Sequence, residues 1–323
     1  MGEEVVQIAL DDVIRVLRPG PRTTVQDSGR HGYQHLGFGV SGSIDERCAM
    51  LANHLVGNDT GSAVLESTLQ GPRLQFTAPA QVSIVGCTPD VRLNGVEGSP
   101  NESLDVKAGD VIDVGRTGGA RAYIAIRGGI QTAPVLNSRS TDLVGGVGGY
   151  AGRSLRKGDE LRFAVVDSIA PRGIHPSWLP ERPSSIQARC ILGPEADVFP
   201  SSAMGLLLSA SFEVNQASDG MGLRLDGPSM ASPPQILSEG QAAGSIQVPP
   251  GGQPIVLLAG RQTVGGYAKI AVVGRPDLSK LAQALPGDVI TFSLLSLQDA
   301  IALTRQWLSD LTDPDCSTVP LCR

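Results

Sequence analysis

Three polar segments of the 323-residue sequence lie between apolar stretches and are dense in hydrogen-bond donors and acceptors. They span residues 23–34, 236–240 and 260–269. Their glycines let the backbone approach a ligand closely, and their arginine and lysine side chains are suited to hold a carboxylate or a carbonyl oxygen. The same composition fits turns cross-linked by salt bridges, and the residues alone leave both interpretations open.

Other binding and catalytic patterns have less support. His31 and His35 could exchange protons, although two histidines near a turn are more often solvated. The glycine run at 144–153 lacks a phosphate-loop pattern and leads into an alternating strand, whereas phosphate binding needs a helix there. We therefore predict a loop between strands. Lys269 has no methionine on either side, unlike a biotin-accepting lysine.

Composition indicates a folded protein built mainly of strands. Hydrophobic residues make up 41%, and 40 glycines and 23 prolines are dispersed among short apolar runs, which is typical of many turns between many strands. A net charge of −6 without a basic cluster argues against nucleic-acid binding. The five cysteines form no C-x-x-C pair, so we predict free thiols, no metal site and a reducing compartment. Short apolar runs and an acidic start predict a cytoplasmic protein with no membrane contact.

A Gly-Asp pair recurs at 109–110, 158–159 and 287–288, each time before an alternating strand. Glycine can adopt positive φ and aspartate can bond to the turn backbone, so each pair predicts a tight turn that opens a strand. Because two of these turns lie in the first half and one in the second, the pattern favours two β units of related construction.

Four helices are predicted to accompany these strands. The capping box Ser43–Glu46 starts the first, Ser201 the second, Asp277 as N-cap the third, and the box Ser296–Asp299 the fourth. Prolines in 171–183 indicate a linker, which divides the chain into domains 13–170 and 184–312. Residues 313–323 are predicted to form a frayed tail.

The polar segments resemble a known family. Residues 23–37 (Thr-Thr-Val-Gln-Asp-Ser-Gly-Arg-His-Gly-Tyr-Gln-His-Leu-Gly), 236–240 (Ile-Leu-Ser-Glu-Gly) and 261–270 (Arg-Gln-Thr-Val-Gly-Gly-Tyr-Ala-Lys-Ile) are similar to motifs of the allophanate hydrolase subunit 2 family. This family is also called carboxyltransferase subdomain A/B, Kip antagonist and the C subunit of 5-oxoprolinase. The agreement continues in family order from about residue 13 to about residue 295.

This resemblance implies a mainly β, cyclophilin-like β-barrel architecture in two subdomains with a few short helices. It also implies a Kip-inhibitor-like partner (subunit 1 or B) and a third, lactam-utilisation-type subunit. Together they would form an ATP-dependent 5-oxoprolinase, a hydrolase that opens 5-oxoproline to glutamate, with this chain inactive alone. ATP would be used by the complex, and the resemblance leaves the position of the ATP site open. The alternatives are the carboxyltransferase half of a biotin-dependent, urea carboxylase-like enzyme and a non-catalytic antagonist of a kinase inhibitor.

The resemblance also suggests roles for individual residues. Those expected to be catalytic are Lys269, Arg261, Glu239 and Asp27, and those expected to bind substrate are Gln26, Arg30, Glu66, Arg139, Gln262 and Thr263. Three positions depart from the family pattern. Gly220 stands where relatives often have Arg, Gly260 where they often have Asp, and Ala268 where they often have Pro.

Overall fold

The computed structural model describes residues 12–182, 184–233 and 236–321. These residues form two compact units. The first contains residues 12–30, 46–181 and 310–321, and the second contains the described residues of 31–45 and 182–309. Across these ranges, no helix combines the length and apolar character needed to cross a membrane. The domain ranges 13–170 and 184–312 stay a prediction.

Two antiparallel sheets form the first unit. Its strands up to residue 174 are β1 (Val13–Arg18), β2 (Arg22–Gln26), β3 (Val64–Gln70), β4 (Arg73–Phe76), β5 (Ala80–Gly86), β6 (Val91–Leu93), β7 (Val96–Glu97), β8 (Ser103–Val106), β9 (Val111–Val114), β10 (Arg116–Ile126), β11 (Glu160–Arg162) and β12 (Arg172–Ile174). One sheet has the order β11-β1-β4-β9-β6-β7 and the other β2-β3-β10-β5-β8. Their inner faces share a core in which Phe76 meets Phe163 edge to face at 6.1 Å.

Helix α1 (Glu46–Leu55) packs against β10 and β5, and from Cys48 onward every side chain is buried. It begins later than predicted. The helix starts after Asp45, so the capping position lies two residues beyond Ser43, and the Ser43 hydroxyl is buried without a hydrogen bond among the described residues. Gly57 ends this region with φ +64°, as its glycine predicts.

A closed barrel of seven strands forms the second unit, in the order β13-β20-β17-β18-β15-β14-β21. Its elements are β13 (Ser185–Leu192), α2 (Ser201–Ser209), β14 (Phe212–Val214), β15 (Gly222–Asp226), β16 (Glu239–Gly240), β17 (Ser245–Gln247), β18 (Ile255–Leu257), β19 (Val264–Gly265), β20 (Lys269–Val273), α3 (Arg275–Ala282) and β21 (Val289–Leu294). Strands β16 and β19 pair as a separate ribbon. The predicted mainly β architecture with a few helices is confirmed.

The three Gly-Asp turns have the predicted geometry. Gly109, Gly158 and Gly287 adopt φ of +90°, +90° and +91°, and each aspartate carboxylate accepts the backbone N–H three residues earlier at 2.7–2.8 Å. This hydrogen bond lowers the pKa of the Asp110 carboxyl. The turns open β9, β11 and β21, so the same device starts strands in both units.

Helix α3 differs from the prediction at its start. It begins at Arg275 with Gly274 as N-cap, which places Asp277 inside the first turn. There the buried Asp277 carboxylate accepts hydrogen bonds from Arg189 Nε at 2.7 Å and Nη2 at 2.8 Å, and Lys280 Nζ lies 3.0 Å away. The side chain that was expected to cap the helix therefore forms a long-range ion pair instead. The local sequence does not indicate this pair.

The predicted frayed tail is ordered as far as the structure describes it. After α4 (Leu297–Thr312), whose capping bond from Asp299 N–H to Ser296 Oγ is present at 3.1 Å, the chain forms α5 (Pro314–Ser317) and β22 (Thr318–Pro320). Asp313 caps α5 by accepting the Asp315 N–H, and β22 pairs with β12. The cap and the pairing explain why these residues do not fray.

Candidate functional site

Lys269 is the first residue of β20 and is only 3% exposed. Its ammonium group lies 3.0 Å from Glu195 Oε2 and also pairs with Glu239 Oε1. The backbone N–H of Lys269 donates to the same Glu195 oxygen at 2.9 Å. A buried cation is thereby neutralised by two carboxylates, as burial of a charge requires.

Glu195 reaches Lys269 because the preceding turn lies against β20. Gly193 N–H donates to Ile270 O at 2.9 Å, and a Cβ at Gly193 would lie 2.1 Å from Lys269 O. Only glycine permits this backbone approach. Glu239, in contrast, lies on the exposed β16–β19 ribbon, and its side chain is 45% exposed.

Two buried glutamines join this ribbon to the barrel. Gln241 Nε2 donates to Glu239 O at 3.0 Å and to Gly265 O at 3.1 Å, which are opposite residues of the ribbon. Gln247 Nε2 donates to Gln241 Oε1 at 3.0 Å, and Gln247 pairs with Lys269 across β17 and β20. The ribbon that carries Glu239 is therefore fixed to the strand that carries Lys269.

Arg261 belongs to the same network. Its Nε donates to Gln241 O at 2.9 Å, and neither terminal nitrogen, Nη1 or Nη2, has a partner in the described part of the chain. Burial lowers the pKa of the Arg261 guanidinium, which still remains a cation at neutral pH. An open pair of guanidinium nitrogens matches the two oxygens of a carboxylate.

Gln262 and Thr263 follow Arg261 on the turn before β19. Thr263 O accepts the Gln241 N–H at 3.0 Å, while its side chain and that of Gln262 bond to no other described residue. Four of the five residues predicted from segments 236–240 and 260–269 therefore lie on one hydrogen-bonded network of the second unit. They are Glu239, Arg261, Thr263 and Lys269, and Gln262 lies between Arg261 and Thr263 in the chain.

The other predicted residues lie in the first unit. Asp27 organises a turn there, because its Oδ1 accepts from Gly29 N–H at 2.8 Å and Ser138 Oγ at 2.7 Å, and its Oδ2 accepts the backbone N–H of Arg139. Ser140 Oγ also donates to Asp27. With these hydrogen bonds, the Asp27 carboxylate is held as an acceptor that joins residues 27–29 to 138–140.

Arg30 and Gln26 extend this cluster. Arg30 is fully buried, and its Nε and Nη2 donate to Val135 O at 3.0 Å and Ser140 O at 2.8 Å, while Nη1 is buried without a partner among the residues described. Gln26 Nε2 donates to Thr141 O at 3.2 Å, but its Oε1 is unpaired within the same ranges. A buried polar atom without any partner costs about 1–3 kcal/mol, which a hydrogen bond to a bound water or ligand would relieve.

Glu66 lies beside that cluster, since it pairs across β2 and β3 with Thr24, whose hydroxyl accepts from Gln26 Nε2 at 3.1 Å. It lies on β3 opposite Tyr123 of β10, and the buried Tyr123 hydroxyl donates to Glu66 Oε2 at 2.8 Å.

The Arg139 side chain, the last of the predicted site residues, carries a buried Nε with no partner in the described ranges.

Sequence reasoning missed Glu195, Gln241 and Gln247. A single glutamate in a Gly-Pro-Glu turn has no spacing that points to a lysine 74 positions away. Gln241 directly follows the predicted segment 236–240, so its position in the sequence could have identified it as a candidate. The described residues hold no group of three or more His, Cys, Asp or Glu side chains that could bind a metal.

A model of the carboxyltransferase domain, subdomain A and B, matches residues 36–294. The chain belongs to this family. The C subunit of 5-oxoprolinase from Escherichia coli K12 is 35% identical over 294 residues, which are 90% of this chain and 93% of that protein. The protein of the same name from Haemophilus influenzae is 34% identical, with 91% and 95% covered. The crystal structure of Kluyveromyces lactis urea carboxylase matches with a TM-score of 0.87 and 32% identity, over 96% of this chain and 30% of that one.

Two of the departures from the carboxyltransferase pattern lie next to each other. Gly260 N–H donates to Gly220 O at 3.0 Å, and a Cβ at Gly260 would lie 2.8 Å from that oxygen. The two glycines thus form a close backbone contact that a side chain at Gly260 would push apart. Ala268, the third departure, is 2% exposed and its carbonyl accepts the Val248 N–H at 3.2 Å.

Proposed function

We propose that this chain is one component of an ATP-dependent 5-oxoprolinase, which hydrolyses the lactam of 5-oxoproline to glutamate. Two relatives named as the C subunit of 5-oxoprolinase support this, because the chain covers 93% and 95% of their lengths. We expect a Kip-inhibitor-like protein and a lactam-utilisation-type protein to complete the enzyme, and the chain to be inactive alone.

The observation that carries the proposal is the network joining Arg261 to Lys269. The substrate has one carboxylate and one lactam carbonyl. Arg261 offers two unpartnered terminal nitrogens for the carboxylate, and Lys269 has three N–H groups, of which Glu195 and Glu239 engage two. The third can donate to a carbonyl oxygen, which would stabilise negative charge on that oxygen during attack by water.

Glu239 is the residue best placed to move a proton. Its carboxylate contacts Lys269 and is also 45% exposed, so water and substrate can reach it. In lactam hydrolysis, the C–N bond breaks, water supplies the hydroxyl of the new carboxyl group, and the released nitrogen gains a proton. We assign that proton transfer to Glu239. Asp27 and Glu66 stay predicted orienting or acid–base residues.

ATP is expected to act in the complex. The glycine run 144–153 forms turns in which no helix begins, so it does not offer the helix N-terminus used by nucleotide phosphate loops.

Carboxyl transfer is the second candidate function. The family match and the urea carboxylase structure favour it, because 96% of this chain aligns with that protein. In that case, biotin would be presented by a separate carrier. Lys269 is 3% exposed and paired with two glutamates, so it does not fit the role of an accessible biotin-accepting lysine.

The two functions are separated by assaying this chain with its companion subunits. We expect ATP-dependent release of glutamate from 5-oxoproline that disappears when the chain is omitted and falls strongly with Lys269→Ala. Lys157→Ala, which changes an exposed lysine in a turn, is the control and should retain activity. An intact complex that releases no glutamate would contradict the proposal, and carboxylation of urea by a biotin-loaded carrier would then support the second function.

A further inference from the structure

A polar cleft of about 540 Å³ lies in the first unit, near the end of α1 and beside β12. Two arginines, Arg127 and Arg172, line it together with His54. The cleft shares no residue with the Lys269 network and uses none of the predicted site residues. Its volume is in the range of small-ligand pockets.

Arg127 is fixed in place with part of its guanidinium unused. Its Nε donates to Asp167 O, and its Nη1 donates to Val56 O at 2.9 Å and Gly57 O at 3.4 Å, at the end of α1. A Cβ at Gly57 would lie 2.8 Å from Nη1, so glycine permits this approach. In the described ranges, nothing accepts from Nη2, and all the acceptors on Arg127 are neutral carbonyls.

Arg172 adds a second uncompensated charge. Its backbone is anchored, since its N–H donates to Ser103 Oγ at 2.8 Å and β12 pairs with β22. Its half-buried side chain makes no hydrogen bond or ion pair with any residue of the described chain. Two guanidinium groups in one cleft without a carboxylate partner favour binding of an anion.

His54 completes the cleft. The residue is 4% exposed, and its Nδ1 lies 3.0 Å from Ser317 Oγ, whose hydroxyl can donate to Asp313 O at 3.3 Å. Nδ1 and the Ser317 hydroxyl share a hydrogen bond whose direction is set by the ring tautomer, and Nε2 is left without a partner among the described residues. Burial and the nearby Arg172 cation lower the pKa of His54, while Asp313 opposes them, so the ring is neutral at pH 7.

Asp59 is the only carboxylate among the residues that line the cleft, and it forms no ion pair with either arginine in the described structure. The lining residues therefore carry two arginine cations and one carboxylate at neutral pH, and Asp313, which acts on His54, lies between the lining residues Thr312 and Pro314. A multivalent oxyanion would satisfy the free N–H groups of both arginines. It would also offset the repulsion between Arg172 and a protonated His54.

We propose that this cleft is a binding site for a phosphate group, either free or carried by a larger phosphorylated molecule, held by Arg127 and Arg172 with His54 as the third contact. This inference is independent of the proposed oxoprolinase function, since it requires neither turnover nor companion subunits.

The test is NMR of the histidine rings of the full chain during titration with inorganic phosphate. We expect phosphate to shift the His54 signals and to raise the His54 pKa, because a bound anion favours the imidazolium. Arg172→Gln should weaken phosphate binding about tenfold or more, as expected for a lost charge-assisted hydrogen bond. Because the Arg172 side chain has no partner in the described structure, the variant should fold normally, which an unchanged Tm would verify.

Arg162→Gln is the matched control. Arg162 is an exposed arginine on β11 of the same unit and lies outside the cleft, so its variant has the same charge change. Equal weakening by both variants, or no response of His54 to phosphate, would overturn the proposal. Competition distinguishes the two sources of the phosphate group. Displacement of phosphate by ATP indicates a nucleotide ligand, and displacement by phosphate monoesters alone indicates a smaller one.

Discussion

The Glu195 Oε2 atom accepts two hydrogen bonds from one residue, the backbone N–H of Lys269 at 2.9 Å and its ammonium Nζ at 3.0 Å. A single carboxylate oxygen therefore fixes both the start of β20 and the end of the side chain that leaves it. The ammonium group is placed before any substrate arrives, which reduces the reorganisation needed during a reaction.

Replacing Glu195 tests this double contact. Glu195→Ala should reduce the free energy of unfolding by about 1–3 kcal/mol, because a buried N–H loses its acceptor. It should also accelerate hydrogen exchange at the Lys269 amide. In Glu195→Gln, the amide oxygen can still accept that N–H, so exchange should remain slow while oxoprolinase activity of the complex falls. Asp197→Asn, on the same turn and exposed, should change neither property. Fast exchange in Glu195→Gln would contradict the assigned geometry.

Arg261→Lys tests carboxylate binding. A lysine keeps the charge but lacks the planar pair of nitrogens, so we expect the KM of the complex for 5-oxoproline to rise roughly ten- to hundredfold. Steady-state kinetics with the assembled enzyme would measure this. Arg224→Lys is the control, since Arg224 lies exposed on β15 of the same barrel. An unchanged KM in Arg261→Lys would remove Arg261 from the carboxylate site.

Asp277 should make the second barrel sensitive to acid. Burial acts to raise the pKa of its carboxyl, but hydrogen bonds from Arg189 and Lys280 together hold the pKa below its usual value. The stabilisation is therefore present at neutral pH and is lost as the pH falls through the lowered pKa. Asp277→Asn should reduce the free energy of unfolding by about 2–3 kcal/mol at pH 7, and the partial exposure of Arg189 keeps this loss moderate. In the variant, the free energy of unfolding should also depend less on pH below about pH 4.

Urea unfolding as a function of pH would measure this effect. Asp226→Asn provides the comparison, because Asp226 is exposed on β15 and accepts a hydrogen bond only from the neutral Asn215 among described residues. A stability curve that Asp277→Asn leaves unchanged would show that the Arg189 pair does not contribute to acid sensitivity.

The three Gly-Asp turns allow the effect of backbone strain on stability to be measured separately from steric clashes of an added side chain. A Cβ at Gly109, Gly158 or Gly287 would meet no atom within 4 Å, yet each residue has φ near +90°. Each Gly→Ala variant should lose about 1–2 kcal/mol of stability from the unfavourable φ alone. Gly205→Ala in α2 also meets nothing within 4 Å and should instead stabilise by about 0.5–1 kcal/mol. Thermal or urea unfolding would compare all four, and a neutral Gly287→Ala would contradict the strain argument.

The sequence predicted well what neighbouring residues determine. The Gly-Asp turns were predictable because glycine conformation and the reach of aspartate act within four residues. The segments around Arg261 and Lys269 stand out as polar residues between apolar strands, and their role in binding substrate stays a prediction. The network between them depends on β17 pairing with β20, so only the contacts within each segment could be inferred.

Contacts between residues far apart in the chain could not be predicted from the sequence. Asp277 was predicted as a helix cap because a local preference pointed there, but its pairing with Arg189 of β13 decided the outcome. The order of residues 314–320 similarly depends on β12, which lies far earlier in the chain. Such long-range pairing has no local pattern, so residue types near one site cannot reveal it.

The pairing of β12 with β22 has a consequence for translation. The first unit needs residues from 310 onward, and these leave the ribosome only after the whole second barrel has been made. Until then, nascent β12 presents unpaired backbone groups, which are a template for pairing with other chains. A ribosome that stops at codon 309 would release a chain with all residues of the second barrel and with β12 lacking its partner strand. Chaperones that recognise exposed strands are therefore expected to engage this protein from the emergence of β12 until β22 has been made.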